Sequence, residues 1–446
     1  MQPATLDDRD DVSPSGPHGV WWVLMAAFLL RLTCMLIFGS HLYADEAEMG
    51  EIARNILAGQ GFSLSLLGPE QPTAFIPPFE PYFFALIHGV FGDTPLSYAI
   101  LIAIRSALSV TSAYVAYRIV RDTWSERLAI LTLCTIAFYP PFIYYSAISE
   151  YLVRPPFSVL LCLLIVWCLL HFERHPSLGR ACLTGGVFGF SLYVQSNFMS
   201  FIPFALAWMA YVLWCSREPL QGWRKLLPLV AMPLIAMLLL LPWTVRNYRA
   251  FGELVPLRTG FGLLFWLANN PVATGDLLSV SSWYVPRFDM APAQTLSPPL
   301  LAQVRQANEV ERDRLLLREA TQFITSHPER YLQLTLIRLR SFWLGPPKHH
   351  KTAWKQIAVA AYGTYSVVLL GLALTALAFR RDRVVWLFVL LVIHFMLLYG
   401  LVQASYSYYR MDSEPFCLIL ALYTLVVLWE RRSMFVGRKV GSEICM

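Results

Sequence analysis

The chain has 446 residues, is 57% hydrophobic and only 14% charged, and carries a net charge of +6 with a mean hydropathy of +0.51. Soluble domains run about 25% charged, so a soluble globular enzyme is excluded. Several runs of roughly 18 to 24 apolar residues can each cross a hydrocarbon core of about 30 Å as a helix, and lipid offers backbone polar groups no other partner. The fold class is therefore an all-α polytopic membrane protein. The positive charge does not argue for nucleic acid, because arginines gather at the cytoplasmic ends of spans and near lipid phosphates. The eight cysteines lie in or beside apolar runs, with none in 246–355. They form no disulfide framework and no CxxC motif.

In chain order, residues 1–18 are polar, with an Asp8-Arg9-Asp10-Asp11 run, and read as a disordered cytoplasmic tail. No basic segment precedes 20–38, so this run reads as an uncleaved first span, with Arg31 inside it. An arginine at that depth needs a partner or a cavity. The short apolar stretch 81–91 reads as an interfacial or re-entrant piece. Spans follow at about 97–120, 127–146, 156–171, 181–195, 198–215, 226–243, 357–379, 384–402 and 414–430, about ten in all. Gly185, Gly186 and Gly189 mark a small-residue face for helix packing.

The short turns holding Arg118 to Arg127, Arg174 to Arg180, Arg217 to Lys225, Arg380 to Arg383 and Arg431-Arg432 alternate onto one side, which the positive-inside rule makes cytoplasmic together with the N-terminus. Residues 246–355 hold 14 Lys/Arg against 8 Asp/Glu, but long loops translocate largely regardless of charge. The resulting units are the tail 1–18, an N-terminal transmembrane module 19–245 with a first outer loop at 40–80, a long outer loop 246–355 with interfacial helices, a C-terminal transmembrane module 356–432 and a cytoplasmic tail 433–446.

The first outer loop opens on an acidic stretch. Met49, Ile52, Ala53, Ile56 and Leu57 recur at helical spacing, as in a helix lying in the interface. Asp45 reads as its N-cap, with Glu48 completing a capping box, and Gly59 as the residue after its end. Glu51 stands three residues before Arg54, a plain ion-pair spacing, and Glu48 and Glu51 read as helix-surface residues. Glu150, shortly before Pro155-Pro156, is equally well explained by a pair with Arg154 four residues on. What adds weight is position: Asp45 and Glu150 fall on one membrane face, and two carboxylates there supply a general base and a supporting acid.

Cations share that face. Arg246-Asn247 ends one span and Tyr409-Arg410 precedes another. Each arginine alone reads as an interfacial anchor, but together they offer the charged forks a lipid-bound phosphate needs. Trp243, Tyr248, Trp266, Tyr406, Tyr408 and Tyr409 offer faces for a sugar, or an interfacial belt. His88, His394 and His349-His350 have no metal spacing, and no Gly-rich phosphate loop is present. The only cofactor the acids offer is a divalent cation, Mg or Mn, on Asp45, Glu46 and Glu150.

Taken together these residues resemble the GT-C membrane glycosyltransferases, in the branch of the protein O-mannosyltransferases and lipid A aminoarabinose transferases. The resemblance covers about 30–430 and rests on Arg31, Asp45-Glu46, the Asn55–Phe62 run NILAGQGF ahead of Pro77-Pro78, Glu150, the block from Pro242 to Asn270, and Tyr409-Arg410. It implies a GT-C-like bundle and an inverting hexosyl or pentosyl transfer from a polyprenyl-phosphate carrier to a hydroxyl of a glycan, lipid or protein, in the bacterial inner membrane with the site facing the periplasm. By resemblance Asp45 is the general base, Glu150 positions the acceptor or supports the base, Arg246 and Arg410 meet the carrier phosphate, and Glu46 and Arg54 shape the site, with Asn247 and Tyr409 binding substrate. The chain departs from the family twice. The aminoarabinose branch carries Glu-Lys before its Pro-Pro where this chain has Phe75-Ile76, so another cation must serve the phosphate. Many bacterial members also carry an arginine where this chain reads Tyr193 to Asn197.

Two other classes share some of these features. A lipid-linked glycan polymerase or ligase also works at an outer face, with an oligosaccharide donor. A secondary transporter normally shows inverted repeats and broken helices at the midplane, whereas these charges collect at one face.

Overall fold

The computed structural model describes residues 17–44, 46–65, 70–149, 152, 154–215, 222–275, 293, 295–344, 353–380, 382–402 and 407–443. Asp45, Glu150, His349-His350 and the N-terminal tail to residue 16 lie outside the described residues. The helices of the first half are α1 (Pro17–Phe38), α2 (Ala47–Leu57), α3 (Phe79–Phe91), α4 (Pro95–Thr123), α5 (Glu126–Ala137), α6 (Pro140–Ile143), α7 (Pro155–Arg174), α8 (Leu178–Val194) and α9 (Ile202–Cys215). Those of the second half are α10 (Leu226–Phe251), α11 (Phe261–Ala268), α12 (Pro298–Gln306), α13 (Glu309–Ser326), α14 (Pro328–Leu344), α15 (Ala353–Phe379), α16 (Arg383–Leu401) and α17 (Glu414–Glu443). The only strands among the described residues are Ser63–Leu64 and Gln71–Pro72, paired antiparallel in the first loop.

All ten segments read as spans are helical. Seven are long and apolar enough to cross a membrane outright, and an eighth is α5 with the Pro140–Ile148 helix, bent by 48°. The remaining two fall short for visible reasons: α8 has only 17 residues, and the apolar part of α17 is bracketed by Glu414 and Glu430. α3, with 13 residues, stays off this count, as its length foretells. α17 continues to Glu443, so the tail assigned from 433 begins as an extension of the last helix.

Helix ends follow local chemistry. Thr94 and Ser97 form a capping box ahead of Pro95 at the start of α4. Ser125, Ser177, Asn308 and Asp382 accept backbone N–H groups at the starts of α5, α8, α13 and α16. α8 and α10 approach closely across the predicted small-residue face. A Cβ on Gly185 would stand 2.3 Å from the Met232 carbonyl oxygen, and one on Gly189 2.8 Å from Leu239.

The bend after α5 explains Arg31. Pro141 has no N–H to give the Ala137 carbonyl four residues earlier. Arg31 supplies it instead, donating to Ala137 O at 2.8 Å, and also to Ala27 O at 3.0 Å, Ser146 Oγ at 3.2 Å and Ser109 Oγ at 3.1 Å. The intramembrane guanidinium thus ties α1 and α4 to the turn that leads toward Glu150.

Two apolar cores result. One fills the bundle, from Val20 and Leu24 through Phe172, Phe188 and Phe395 to Tyr423. The other joins the first loop to the long loop: Met49, Ile52, Phe62 and Phe75 pack in one cluster with Trp243, Trp266, Val304 and Leu316. The long loop therefore has no separate core. It closes over the loop end of the bundle.

Candidate active site

α2 behaves as its pattern requires. Met49, Ile52 and Ala53 are buried while Leu57 is exposed. Its end is a Schellman motif, with Gly59 N–H donating to Ile56 O and Gln60 N–H to Asn55 O, and Gly59 at φ 79°. Its start differs from expectation. The N-cap position belongs to Glu46, whose side chain makes no capping bond. Nor does Glu51 pair with Arg54: it accepts Ser65 N–H at 2.9 Å. Arg54 instead faces Glu46 at 3.8 Å and Asp93 at 3.6 Å. Glu46 is buried against His88, with Nε2 2.6 Å from its Oε1.

Arg246 and Asn247 act on the scaffold. Arg246 donates to Thr73 O and Phe62 O, both at 2.6 Å, and lies over the rings of Phe62 and Trp243. Asn247 donates to Val255 O at 3.0 Å and Leu257 O at 3.3 Å. Trp243 Nε1 donates to Leu257 O at 2.6 Å and Thr244 Oγ1 to Pro256 O at 2.8 Å. The whole block from Trp243 to Asn247 pins the carbonyls of 255–257. The next residue, Arg258, is delivered over the ring of Phe75 at 5.4 Å. Gly260, at φ +87°, makes room, since a Cβ there would come within 2.4 Å of the Phe75 ring. Glu309 closes the arrangement by accepting from Ala74 N–H at 2.8 Å, Thr73 Oγ1 at 2.6 Å and Thr259 Oγ1.

Arg410 is equally committed. Both it and Glu414 are fully buried and form an ion pair. Its remaining donors reach Trp343 O at 3.1 Å and Tyr362 Oη at 2.7 Å, and Tyr139 Oη donates to Glu414. Arg246 and Arg410 therefore belong to two separate networks. Removing one partner of a buried pair strands the other, typically at about 3–5 kcal/mol. Arg410→Ala should accordingly lower the thermal unfolding midpoint of the detergent-purified protein sharply, and an unchanged midpoint would contradict a structural role.

The charges that do converge centre on Arg154. Glu80 lies 3.4 Å from it, buried on α3, while Glu150, its expected partner, lies outside the described residues. Loss of water outweighs the neighbouring Arg154 and Arg105 cations and pushes the Glu80 carboxyl up to about 7. The charge on Arg154 also responds to Tyr408, Tyr409 and Glu48. Tyr409 stacks on Tyr399 at 4.4 Å and feels both Arg154 and Arg258. Burial, and then repulsion from Arg154, pull the Arg258 pKa down to about 10, which leaves it cationic at neutral pH. No carboxylate among the described residues forms an ion pair with Arg258. Two guanidinium groups that repel one another favour an anion beside them.

Beside them Asp412 accepts from Ser158 Oγ at 2.5 Å and Gln195 Nε2 at 2.8 Å, while Asn197 donates to Tyr399 Oη at 2.7 Å. Burial pushes the Asp412 carboxyl up to about 6. The side chains of Gln195 and Asn197 thus form an uncharged wall. No group of three His, Cys, Asp or Glu side chains among the described residues is placed to hold a metal, and Glu46 is already engaged by His88.

The architecture has known counterparts. The oligosaccharyltransferase AglB of Archaeoglobus fulgidus, solved with an inhibitory peptide and a dolichol-phosphate, superposes with a TM-score of 0.55 at 14% identity over 95% of this chain and 52% of its own. The same archaeal enzyme tethered to an acceptor peptide matches at 0.55 and 14% identity over 94% of this chain and 51% of that one. The chain spans about half the length of these two structures. ArnT of Cupriavidus metallidurans, solved with undecaprenyl phosphate, has a TM-score of 0.41 at 13% identity, covering 92% of this chain and 78% of its own. The chain shares the GT-C membrane fold. More particularly, residues 76–245 match the family model of dolichyl-phosphate-mannose-protein mannosyltransferases. Comparison with curated proteins finds no significant match.

Proposed function

We propose that the protein is an inverting glycosyltransferase that moves a sugar from a polyprenyl-phosphate carrier to an acceptor hydroxyl at the outer face of the membrane. The observation that carries this reading is Arg258 seated over the Phe75 ring with no carboxylate paired to it among the described residues, and with Arg154 close enough to repel it. Phe75 is where the aminoarabinose branch places its Glu-Lys, and Arg258 brings the cation the sequence lacks there. Arg258 and Arg154 hold the carrier phosphate. Arg246, Asn247 and Glu309 position the segment that bears Arg258, and Arg410 fixes the turn that bears Tyr409.

In the reaction the Asp45 carboxylate takes the acceptor proton, with Glu150 beside it. The acceptor oxygen bonds to the anomeric carbon from the side opposite the phosphate. The bond from that carbon to the phosphate oxygen breaks, and the electron pair leaves with the polyprenyl phosphate. Charge grows on the departing phosphate, where fixed cations help the transition state more than the ground state. The donor carries its own leaving group, so no nucleotide site is needed.

The direct test is reconstitution of the full chain with synthetic polyprenyl-phosphate sugars and hydroxyl acceptors, reading the product's anomeric configuration by NMR. Transfer with retention, or release of free sugar alone from every donor, would sink the proposal. Topology has its own test. Cysteine placed at the exposed Gln60 should react with a membrane-impermeant maleimide in intact cells, and cysteine at Leu178 only after permeabilisation. The opposite pattern would move the site to the cytoplasmic face.

A further inference from the structure

His88 and Glu46 are each about 1% exposed, and Nε2 stands 2.6 Å from Oε1. The protons at this contact can be counted from the surrounding bonds. His88 Nδ1 faces the Gly92 carbonyl at 3.3 Å and Ser97 Oγ at 2.9 Å. A carbonyl only accepts. Ser97 spends its own proton on Thr94 O at 2.7 Å and accepts Thr94 N–H at 3.2 Å. Nδ1 must therefore carry a proton and donate. Across the ring, a bare nitrogen against a bare carboxylate would repel, so a second proton lies between Nε2 and Oε1. The pair holds one proton beyond the neutral ring, as imidazolium with carboxylate or imidazole with carboxylic acid.

The surroundings favour the charged form. Arg54 lies 3.8 Å from Glu46 and 3.6 Å from Asp93. Tyr98 packs its ring 5.2 Å from His88 and donates to Asp93 at 2.7 Å. These, with Glu46 itself, are the titratable groups that α2, the turn after α3 and α4 bring to the ring. Burial is the largest influence on His88 and opposes its charge, but the Glu46 bond and charge, the Gly92 carbonyl and Asp93 together prevail, and its pKa is raised.

The mechanical consequence lies in α2. Glu46 sits at the N-cap and directly follows Asp45 in the chain. Its Oε2 has no hydrogen-bond partner and folds back over Gly50, where a Cβ would come within 2.5 Å of it. His88 is thus the hydrogen-bonding anchor of this carboxylate. We propose that His88 is a positioning residue: through one proton shared with Glu46 it holds the start of α2, and the residue next to the Asp45 base, against α3 and α4. This role in catalysis rests on the glycosyltransferase reading; the shared proton does not.

The test uses the full chain in detergent with ¹⁵N-labelled histidine, His88→Gln identifying the His88 resonances. His88 should remain doubly protonated above the ordinary imidazole range, about pH 6.5. In Glu46→Gln, where burial is left with less opposition, its midpoint should move in the acid direction. A wild-type midpoint at the ordinary value, or no shift in Glu46→Gln, would overturn the proposal. Linkage gives a second readout. A histidine whose folded pKa is raised stabilises fully below its unfolded pKa, and that contribution fades as pH rises through the folded value. The thermal advantage of wild type over His88→Gln should therefore narrow on the alkaline side, and a constant difference would count against the shared proton. Under turnover, wild type should show an alkaline fall in kcat/KM that His88→Gln lacks. If wild type transfers no sugar from any donor, the glycosyltransferase reading fails while the spectra still decide the pair. If transfer occurs and both proteins share one pH profile, the positioning role fails.

Discussion

Asp45→Asn should reduce sugar transfer by about 10²–10⁴-fold, the usual worth of general-base assistance, while the protein still inserts and unfolds at the wild-type temperature. An amide keeps the size of the side chain but cannot take the acceptor proton. The competing view of Asp45 as a helix cap predicts the reverse, since cap loss costs about 1 kcal/mol of stability and leaves chemistry alone. The structure weakens that view by giving the N-cap position of α2 to Glu46. Measuring turnover and melting temperature on the same preparation separates the two. A variant that melts early but turns over normally would return Asp45 to a structural role.

The bundle was legible because composition leaves lipid-spanning chains few options. Apolar runs of sufficient length had to be helices, and Pro140-Pro141, Gly59 and the Gly185 and Gly189 face each did what their local chemistry requires. The site was legible only in part. Arg31 announced that it needed partners, but not that these would be neutral oxygens gathered at a proline break. Arg410 reads as a phosphate ligand, but Glu414 stands one helical turn away, a spacing visible in the sequence that marks a buried pair just as well. Arg246 reads as a cation for the phosphate, yet its donors serve carbonyls of the first loop.

The residues that sequence reasoning missed share one trait: their meaning depends on what folding brings beside them. Glu80 had a signal, as a lone acid in the apolar run from Ala74 to Ile87, where an unpaired carboxylate would be too costly to bury. His88 follows on the same helix, and the absence of metal spacing hides it. Arg258 carried no signal of its own, being one arginine among 14 basic residues of the long loop. Its role follows from Trp243, Thr244 and Asn247 fixing the preceding carbonyls and from Phe75 lying beneath it, contacts that span more than 180 positions at their longest.

Arg258→Ala should lower turnover by about 10²–10³-fold, the range seen when one preorganised donor is removed from a site of developing charge. Arg258→Lys should recover part of this, because a lysine restores the charge without the planar fork. Binding of the sugar-free polyprenyl phosphate should weaken in parallel, and the salt dependence of that binding should become shallower as one phosphate contact is lost. Stability should change little, since among the described residues the guanidinium bonds only to the neighbouring Thr259 carbonyl at 3.0 Å and rests on a ring. That sets Arg258 apart from Arg410, whose loss strands Glu414 in the core. The two substitutions therefore form a matched pair: Arg410→Ala should act mainly on the melting temperature and Arg258→Ala mainly on turnover. If the effects are exchanged, the carrier phosphate sits at Arg410, and the site lies on the α14, α15 and α17 side of the bundle.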